Sequence, residues 1–382
     1  MKNSQRGCSV GVDATRIRSG GGIAHVKGLF GHADPRNYGI TKVHFWAHDA
    51  LLETIGPKPW LSKHPVPACK KSILHQLAWQ RIQLSHEAKA LGVDVMFNTD
   101  AGSVCDFQPA VTLSQDMLAF EPGEIERYPW PSRARLRLEI LRFVQLQRLK
   151  RSSVALFLTE HARRVIAGLT TLSETRVIPH GIDHKFFGAA DGRRKFPGNG
   201  PIRCLYVSNV VPYKHQWNVV EAIARLRAES TQDVRLSLVG GGHGPAMDKL
   251  RVALDRHDPD RQFVEFGAFV PNDQIVDILR QADLFIFASS CENLPITLLE
   301  AMASGLPIAS SNRGPMPEML GPEGYYFDPE DASSIALTVK KLVSAQCQTD
   351  GVAATAVERA RSFTWERTAQ ETWCLLASLA ES

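Results

Sequence analysis

Ser289-Ser290-Cys291-Glu292-Asn293-Leu294-Pro295-Ile296-Thr297-Leu298-Leu299-Glu300 turns an apolar run into a helix across a loop that carries carboxylates. Ahead of it, Leu284-Phe285-Ile286-Phe287-Ala288 is short and continuously apolar, the pattern of a parallel strand covered on both faces. Pro295 suits the first turn of a helix, where its missing N–H would have had no partner, and Thr297 to Ala303 propagates until Gly305 stops it. Leu306 to Ala309 follows as a second apolar strand. In an open parallel sheet, ligands sit at the carboxyl ends of strands, where helix N-termini present free amides to anions. Glu292 lies in that loop and Glu300 about two turns beyond it, so both can line one crevice. Solvated or capping carboxylates produce the same spacing, which by itself leaves the function open.

The wording of the longer run is more specific. Glu292-Asn293-x-Pro295-x-x-x-x-Glu300-Ala301-Met302-Ala303-x-Gly305-x-Pro307, continuing to Gly314-Pro315-x-Pro317-Glu318, resembles the Glu-x7-Glu signature of retaining glycosyltransferases of family 4. The resemblance implies an α/β chain of two Rossmann-like domains facing a cleft, the GT-B fold. It implies a nucleoside diphosphate sugar in the second domain and an acceptor in the first. Glu300 would then accept from the ribose hydroxyls, and Glu292 would contact hydroxyls of the donor sugar. Lys214 would hold the diphosphate together with the Asn293, Leu294, Pro295 and Ile296 backbone. Glu292 and Lys214 are the catalytic candidates.

Other segments agree in part with that family. Arg18-Ser19-Gly20-Gly21-Gly22-Ile23-Ala24 is a glycine-rich turn into a helix, which lets backbone amides approach a ligand closely, although glycine runs also make plain flexible loops. By resemblance, Gly21 and Gly22 face the transferred sugar and phosphate. Gln115 stands where many members have a histidine; it can hydrogen-bond but cannot carry a proton as a base, and with Asp116 it is placed on the acceptor side. Asn209 occupies the place of an arginine that binds the donor diphosphate, so one cation is lost from the expected donor site. His180, in Pro179-His180-Gly181-Ile182-Asp183, replaces the asparagine common there.

Length and composition set the outer bounds. At 382 residues and 44% hydrophobic content, two globular domains are expected. We expect them at 1–188 and 189–364, with Ala189 to Pro201 as a linker rich in Gly, Pro and charge, and with 365–382 as a helix crossing back to the first domain. Seven cysteines, odd in number and without Cys-x-x-Cys spacing, fit reduced thiols better than disulfides or zinc. No metal or cofactor is expected beyond a GDP- or UDP-linked sugar donor. A net charge of +4 is too small to imply nucleic acid. The polar start and the lack of a long apolar run lead to an expectation of a cytoplasmic protein.

Pro131 to Arg151 reads as a basic amphipathic helix, with Leu136, Ile140, Leu141, Val144 and Leu149 on an apolar face among seven Arg and Lys residues. Such a helix can lie on an anionic membrane, or face a core with a solvated cationic side. The reading as a whole is a retaining hexosyltransferase that moves a sugar to a saccharide or lipid-linked saccharide in cell-surface polysaccharide synthesis. GDP-mannose is the first expectation for the donor and UDP-sugars the next. A nucleotide-sugar epimerase of the same fold and a non-catalytic sugar-nucleotide binder are the alternatives.

Overall fold

The computed structural model describes residues 7–18, 20–188, 200–344 and 349–381. The chain forms two compact units, one of residues up to Gly181 together with Thr364 onward, the other Ile182–Phe363. Most of the expected linker, 189–199, lies outside the described residues.

In the first unit, β1 (Cys8–Asp13), β2 (Ile40–Ala47), β3 (Leu61–Pro65), β4 (Val95–Asn98), β5 (Ala110–Leu113), β6 (Val154–Phe157) and β7 (Thr175–Val177) form one parallel sheet in the order β3-β2-β1-β4-β5-β6-β7. The central strands are the continuously apolar ones: Val10, Val12, Val95, Phe97 and Val111 are fully buried. The strands at the two edges, β3 and β7, are polar and only partly buried, so neither stands out in the sequence. A proline closes β3, in keeping with an edge position.

The helix Trp365–Ala380 belongs to this unit and packs on the helix Gly21–Gly31, on β1 and on β4. Thr364 caps it, its hydroxyl accepting from Arg367 N–H at 3.1 Å. Trp373 is buried between Phe30 and Trp60, with ring centroids 6.0 and 6.3 Å away. Burial of such a side chain contributes roughly 3 kcal/mol. Trp365 comes so close to Gly181 that a Cβ there would lie 2.1 Å from its backbone nitrogen, which excludes any other residue at 181.

Between β3 and β4 a helical segment runs as Ile73–Trp79, a π-helical turn over Gln80–Leu84, and Ser85–Ala90. Such a turn contains an extra residue, and here it leaves both Gln76 and Gln80 facing the end of β1. The basic helix spans Arg133–Arg151 and is capped by Ser132. Its buried side is Leu138, Gln145, Arg148 and Leu149, which corrects the expected apolar face: of that set Leu149 is buried, whereas Leu136 and Ile140 are exposed. Leu138 takes their place because it points at the same side as Gln145 and Leu149 on the 3.6-residue repeat.

In the second unit, β8 (Ile202–Val207), β9 (Val234–Val239), β10 (Val264–Gly267), β11 (Leu284–Phe287), β12 (Ile308–Ser311) and β13 (Tyr325–Phe327) form a parallel sheet in the order β10-β9-β8-β11-β12-β13. The order reverses between β8 and β11, which pair through Leu284↔Cys204 and Phe285↔Leu205. That reversal leaves a crevice at the carboxyl ends of the two strands. Gly240 shapes the neighbouring loop: its φ is 143° and a Cβ would lie 2.2 Å from Ser208 O. Two parallel α/β units of this kind make the GT-B fold.

Candidate active site

Both loops at the β8/β11 reversal carry expected site residues. After β8 the chain makes a short 3-10 turn at Pro212–Lys214, and His215 takes a left-handed conformation (φ 49°) before the helix Gln216–Glu229. After β11 the loop ends at Pro295, and the helix Ile296–Ser304 runs to Gly305, which is also left-handed (φ 75°). The two loops are stitched together: Ser290 N–H donates to Tyr213 O at 2.8 Å, and Ser290 Oγ lies 2.9 Å from His215 Nε2. Tyr206 O–H donates to Lys214 O at 2.8 Å, fixing the backbone from beneath.

This framework brings Lys214 and Glu292 into an ion pair, Nζ to Oε1, with both side chains largely buried. The ammonium also sits 5.2 Å from the Phe287 ring centroid and 5.6 Å from that of Tyr213. Those aromatic faces favour a cation there. Asn293, Leu294 and Pro295 are buried beside Glu292, and Pro295, at the N-cap of the helix Ile296–Ser304, offers its first amides no side-chain acceptor. Asn209 is exposed on the β8 loop, its carbonyl accepting from Gln216 Nε2 at 3.0 Å.

Glu300 lies in the same helix but does not join the Lys214–Glu292 pair. It is buried, and its Oε1 accepts from Asn272 Nδ2 at 2.8 Å. Burial pushes its carboxyl up to about 7, against the pull of the Asn272 hydrogen bond and the Lys185 charge. Over the window from the ordinary 4.5 to about 7, the unfolded chain releases a proton that the folded chain keeps. Stability from this group is therefore present at low pH and lost as pH rises through about 7.

In the first unit, the carboxyl ends of the adjacent strands β1, β4 and β5 gather a second polar group. Gly21 and Gly22 open the helix Gly21–Gly31, and a Cβ on Gly22 would lie 3.2 Å from Gln115 Oε1, so the glycine turn and Gln115 are neighbours. Gln115 Nε2 is buried and finds no hydrogen-bond partner among the described residues. Asp116 accepts from Leu118 N–H at 2.9 Å, and burial raises its carboxyl, with Asp100 adding to the effect and Arg137 opposing it. Asp100 in turn pairs with Arg16 at 2.9 Å. Hydrogen-bond donors, acceptors and carboxyl groups are thus gathered at this end of the sheet.

Several residues of these sites were not singled out from sequence. Asp13, at the tip of β1, accepts from Thr15 Oγ1 (2.6 Å), Ser103 Oγ (2.7 Å) and Gln80 Nε2 (2.9 Å). A carboxylate ending an otherwise apolar strand was the available signal. Asn272 and Lys185 reach Glu300 from segments distant in sequence, and nothing local marks them. His180 is buried, 5.0 Å from His25 and 5.5 Å from Trp365 by ring centroids. Burial holds His25 down at about 4 and His180 well below its ordinary value, so both remain neutral packing groups at physiological pH.

Among the described residues no group of three His, Cys, Asp or Glu side chains could hold a metal, and no helix is long and apolar enough to cross a membrane. Residues 191–362 match the family model for glycosyl transferases group 1. The chain is 27% identical over 241 residues to the MMP alpha-(1->4)-mannosyltransferase of Mycolicibacterium hassiacum, covering 60% of this chain and 56% of that protein. It is 24% identical over 168 residues to the O-antigen chain mannosyltransferase B of Escherichia coli, covering 44% of each. The chain thus spans about half the length of these curated relatives. Its fold is similar to that of the sucrose-phosphate synthase of Thermosynechococcus elongatus, with a TM-score of 0.74 and 18% identity over 98% of this chain and 100% of that one.

Proposed function

We propose, from a second unit that carries a group 1 glycosyl transferase domain, that this protein is a retaining hexosyltransferase using a nucleoside diphosphate sugar. The observation that carries the reading is the Lys214–Glu292 pair at the β8/β11 reversal, beside the N-terminus of the helix Ile296–Ser304. A diphosphate entering this crevice meets Lys214 and the helix amides, which neutralise the charge that grows as the glycosidic bond to phosphate breaks. Glu292, released from the lysine, takes hydroxyls of the donor sugar, and Glu300 takes those of the ribose. No side chain is assigned as a covalent nucleophile. Retention then proceeds on the donor's front face, the leaving phosphate accepting the proton of the acceptor hydroxyl.

Mannose is the proposed sugar, supported by the mannosyltransferases among the relatives, and GDP is the proposed carrier, with UDP the next. The test is incubation with GDP-mannose and UDP-sugars, with and without saccharide acceptors, followed by NMR of the products. A mannosylated acceptor with the donor's anomeric configuration is expected. A free epimerised sugar would replace the reading with an epimerase, and binding without turnover would replace it with a sugar-nucleotide binder.

The acceptor is proposed to be lipid-linked and presented at an anionic membrane surface. On the helix Arg133–Arg151, Leu136, Ile140 and Phe143 are 51%, 56% and 65% exposed, with Trp130 just before them at 71%. Exposed Arg133 and Arg137 share that stripe, and Arg137 also acts on Asp116. An apolar stripe studded with arginine suits the boundary of acyl chains and acidic headgroups, each cation contributing about 1 kcal/mol. We expect the protein to sediment with anionic vesicles, less at high salt, and much less after Ile140→Asp with Phe143→Asp. Equal sedimentation with neutral and anionic vesicles would remove the membrane from the proposal and leave the transferase reading standing.

A further inference from the structure

Glu300 is reached through a two-step hydrogen-bond chain built from two segments far from it in sequence. Lys185 Nζ, on the 3-10 turn His184–Phe186, donates to Asn272 Oδ1 at 2.9 Å. Asn272 opens the helix Asn272–Gln281, and its Nδ2 donates to Glu300 Oε1 at 2.8 Å. The direction of the chain is fixed by chemistry. A lysine ammonium can only donate, so the amide oxygen of Asn272 must face it, and the amide NH2 is turned onto the carboxylate.

We propose that Lys185 and Asn272 are positioning residues, a relay that occupies one oxygen of Glu300 and leaves the other aimed at a ribose hydroxyl. This rests on the nucleotide-sugar reading of the site. The relay has two effects. It holds the carboxylate in one rotamer before the nucleotide arrives, which reduces what binding must spend on ordering it. It also favours the ionised form, because a charged donor polarises the amide toward an anionic acceptor.

The other charges around Glu300 oppose or ignore it. Asp183, on the same turn as Lys185, acts against ionisation. On the helix Asn272–Gln281, Asp277 is paired with Arg280, and Asp273 is exposed. On the helix Thr349–Arg361, which packs on the Glu300 helix, Arg359 lies against Gly321 and Arg361 sits over Phe187 and pairs with Glu358. Among the described residues, Lys185 is thus the cation that acts on Glu300. With the carboxyl already pushed up to about 7 by burial, the relay decides how much of it is charged near neutrality.

The experiment is calorimetric binding of GDP and UDP across a pH series spanning that value, in the wild type, Lys185→Met, Lys185→Arg and Asn272→Ala. Both relay side chains are exposed, so these changes leave the core intact. Titration of the nucleotide phosphates is common to all variants and cancels in the comparison. In the wild type, affinity should fall as pH drops through about 7. The midpoint should rise by about one pH unit in Lys185→Met and Asn272→Ala and return in Lys185→Arg; at high pH Lys185→Met should approach wild-type affinity, whereas Asn272→Ala should stay weaker because nothing then holds the carboxylate in one rotamer. An unchanged midpoint in Lys185→Met, with wild-type binding intact, overturns the relay alone. Absence of nucleotide binding by the wild type overturns the relay together with the nucleotide-sugar reading.

Discussion

Lys214→Ala should lower sugar transfer by about 10²-fold or more, the scale of losing one preorganised charge that stabilises a leaving group. The lysine is held in place before any substrate arrives: its backbone carbonyl accepts from Tyr206 O–H at 2.8 Å, and its N–H donates to Val211 O at 3.0 Å. Its charge lies over Phe287 and against Glu292. The expected arginine is absent at Asn209, so fewer cations share the task. Removing the lysine also leaves Glu292 partly buried without its partner, which by itself disturbs the loop. The double variant Lys214→Ala with Glu292→Gln separates the two effects, because it removes the stranded charge. If diphosphate recognition is the lysine's role, affinity for a nucleoside diphosphate falls in both variants while affinity for the bare nucleoside stays. Near-normal turnover in Lys214→Ala would show that another cation holds the diphosphate.

The sequence made the centre of each sheet legible and left the edges dark, for a physical reason. Buried strands such as Leu284–Phe287 must be apolar on both faces and announce themselves, whereas β3 is half solvated and reads Leu-Ser-Lys-His-Pro, like a loop. The Glu292–Glu300 segment was readable because strand, loop and helix are contiguous, so spacing translates directly into place. Lys214 was found through a resemblance, and its pairing with Glu292 depends on the reversal between β8 and β11, which spacing does not encode. Asn272 and Lys185 show the limit more sharply. Each is an ordinary exposed residue, and only the fold sets them in line with Glu300. The basic helix was legible as a helix but not in its orientation, since two apolar stripes compete on it and the core took the one with Leu138 and Leu149.

Asp13→Ala should destabilise the first unit by about 3–5 kcal/mol, the range for removing one member of a buried charged network. The carboxylate is buried at the tip of β1 and accepts from the Thr15 N–H and hydroxyl, from Ser103 Oγ and from Gln80 Nε2. These donors come from the loop after β1, the loop after β4 and the π-helical turn, so one side chain ties three segments together. Alanine would leave the Thr15 N–H and hydroxyl and the Ser103 hydroxyl without this acceptor, while Gln80 Nε2 would keep only Thr15 Oγ1, at 2.8 Å. The geometry also reaches toward the site: the Thr15 turn leads directly to Arg16, which holds Asp100 at 2.9 Å, and then to the glycine turn beside Gln115. Asp13→Asn keeps the volume but sets an NH2 group against donors, so it should lose nearly as much stability as alanine. Denaturant unfolding followed by tryptophan fluorescence measures both, since Trp46, Trp60 and Trp373 are buried in this unit. The nucleotide residues Glu300 and Lys214 lie in the other unit, so GDP affinity should survive at temperatures where Asp13→Ala remains folded, while transfer falls. A loss below about 1 kcal/mol in both variants would mean that water replaces the carboxylate, and that the root of the glycine turn is held by the backbone alone.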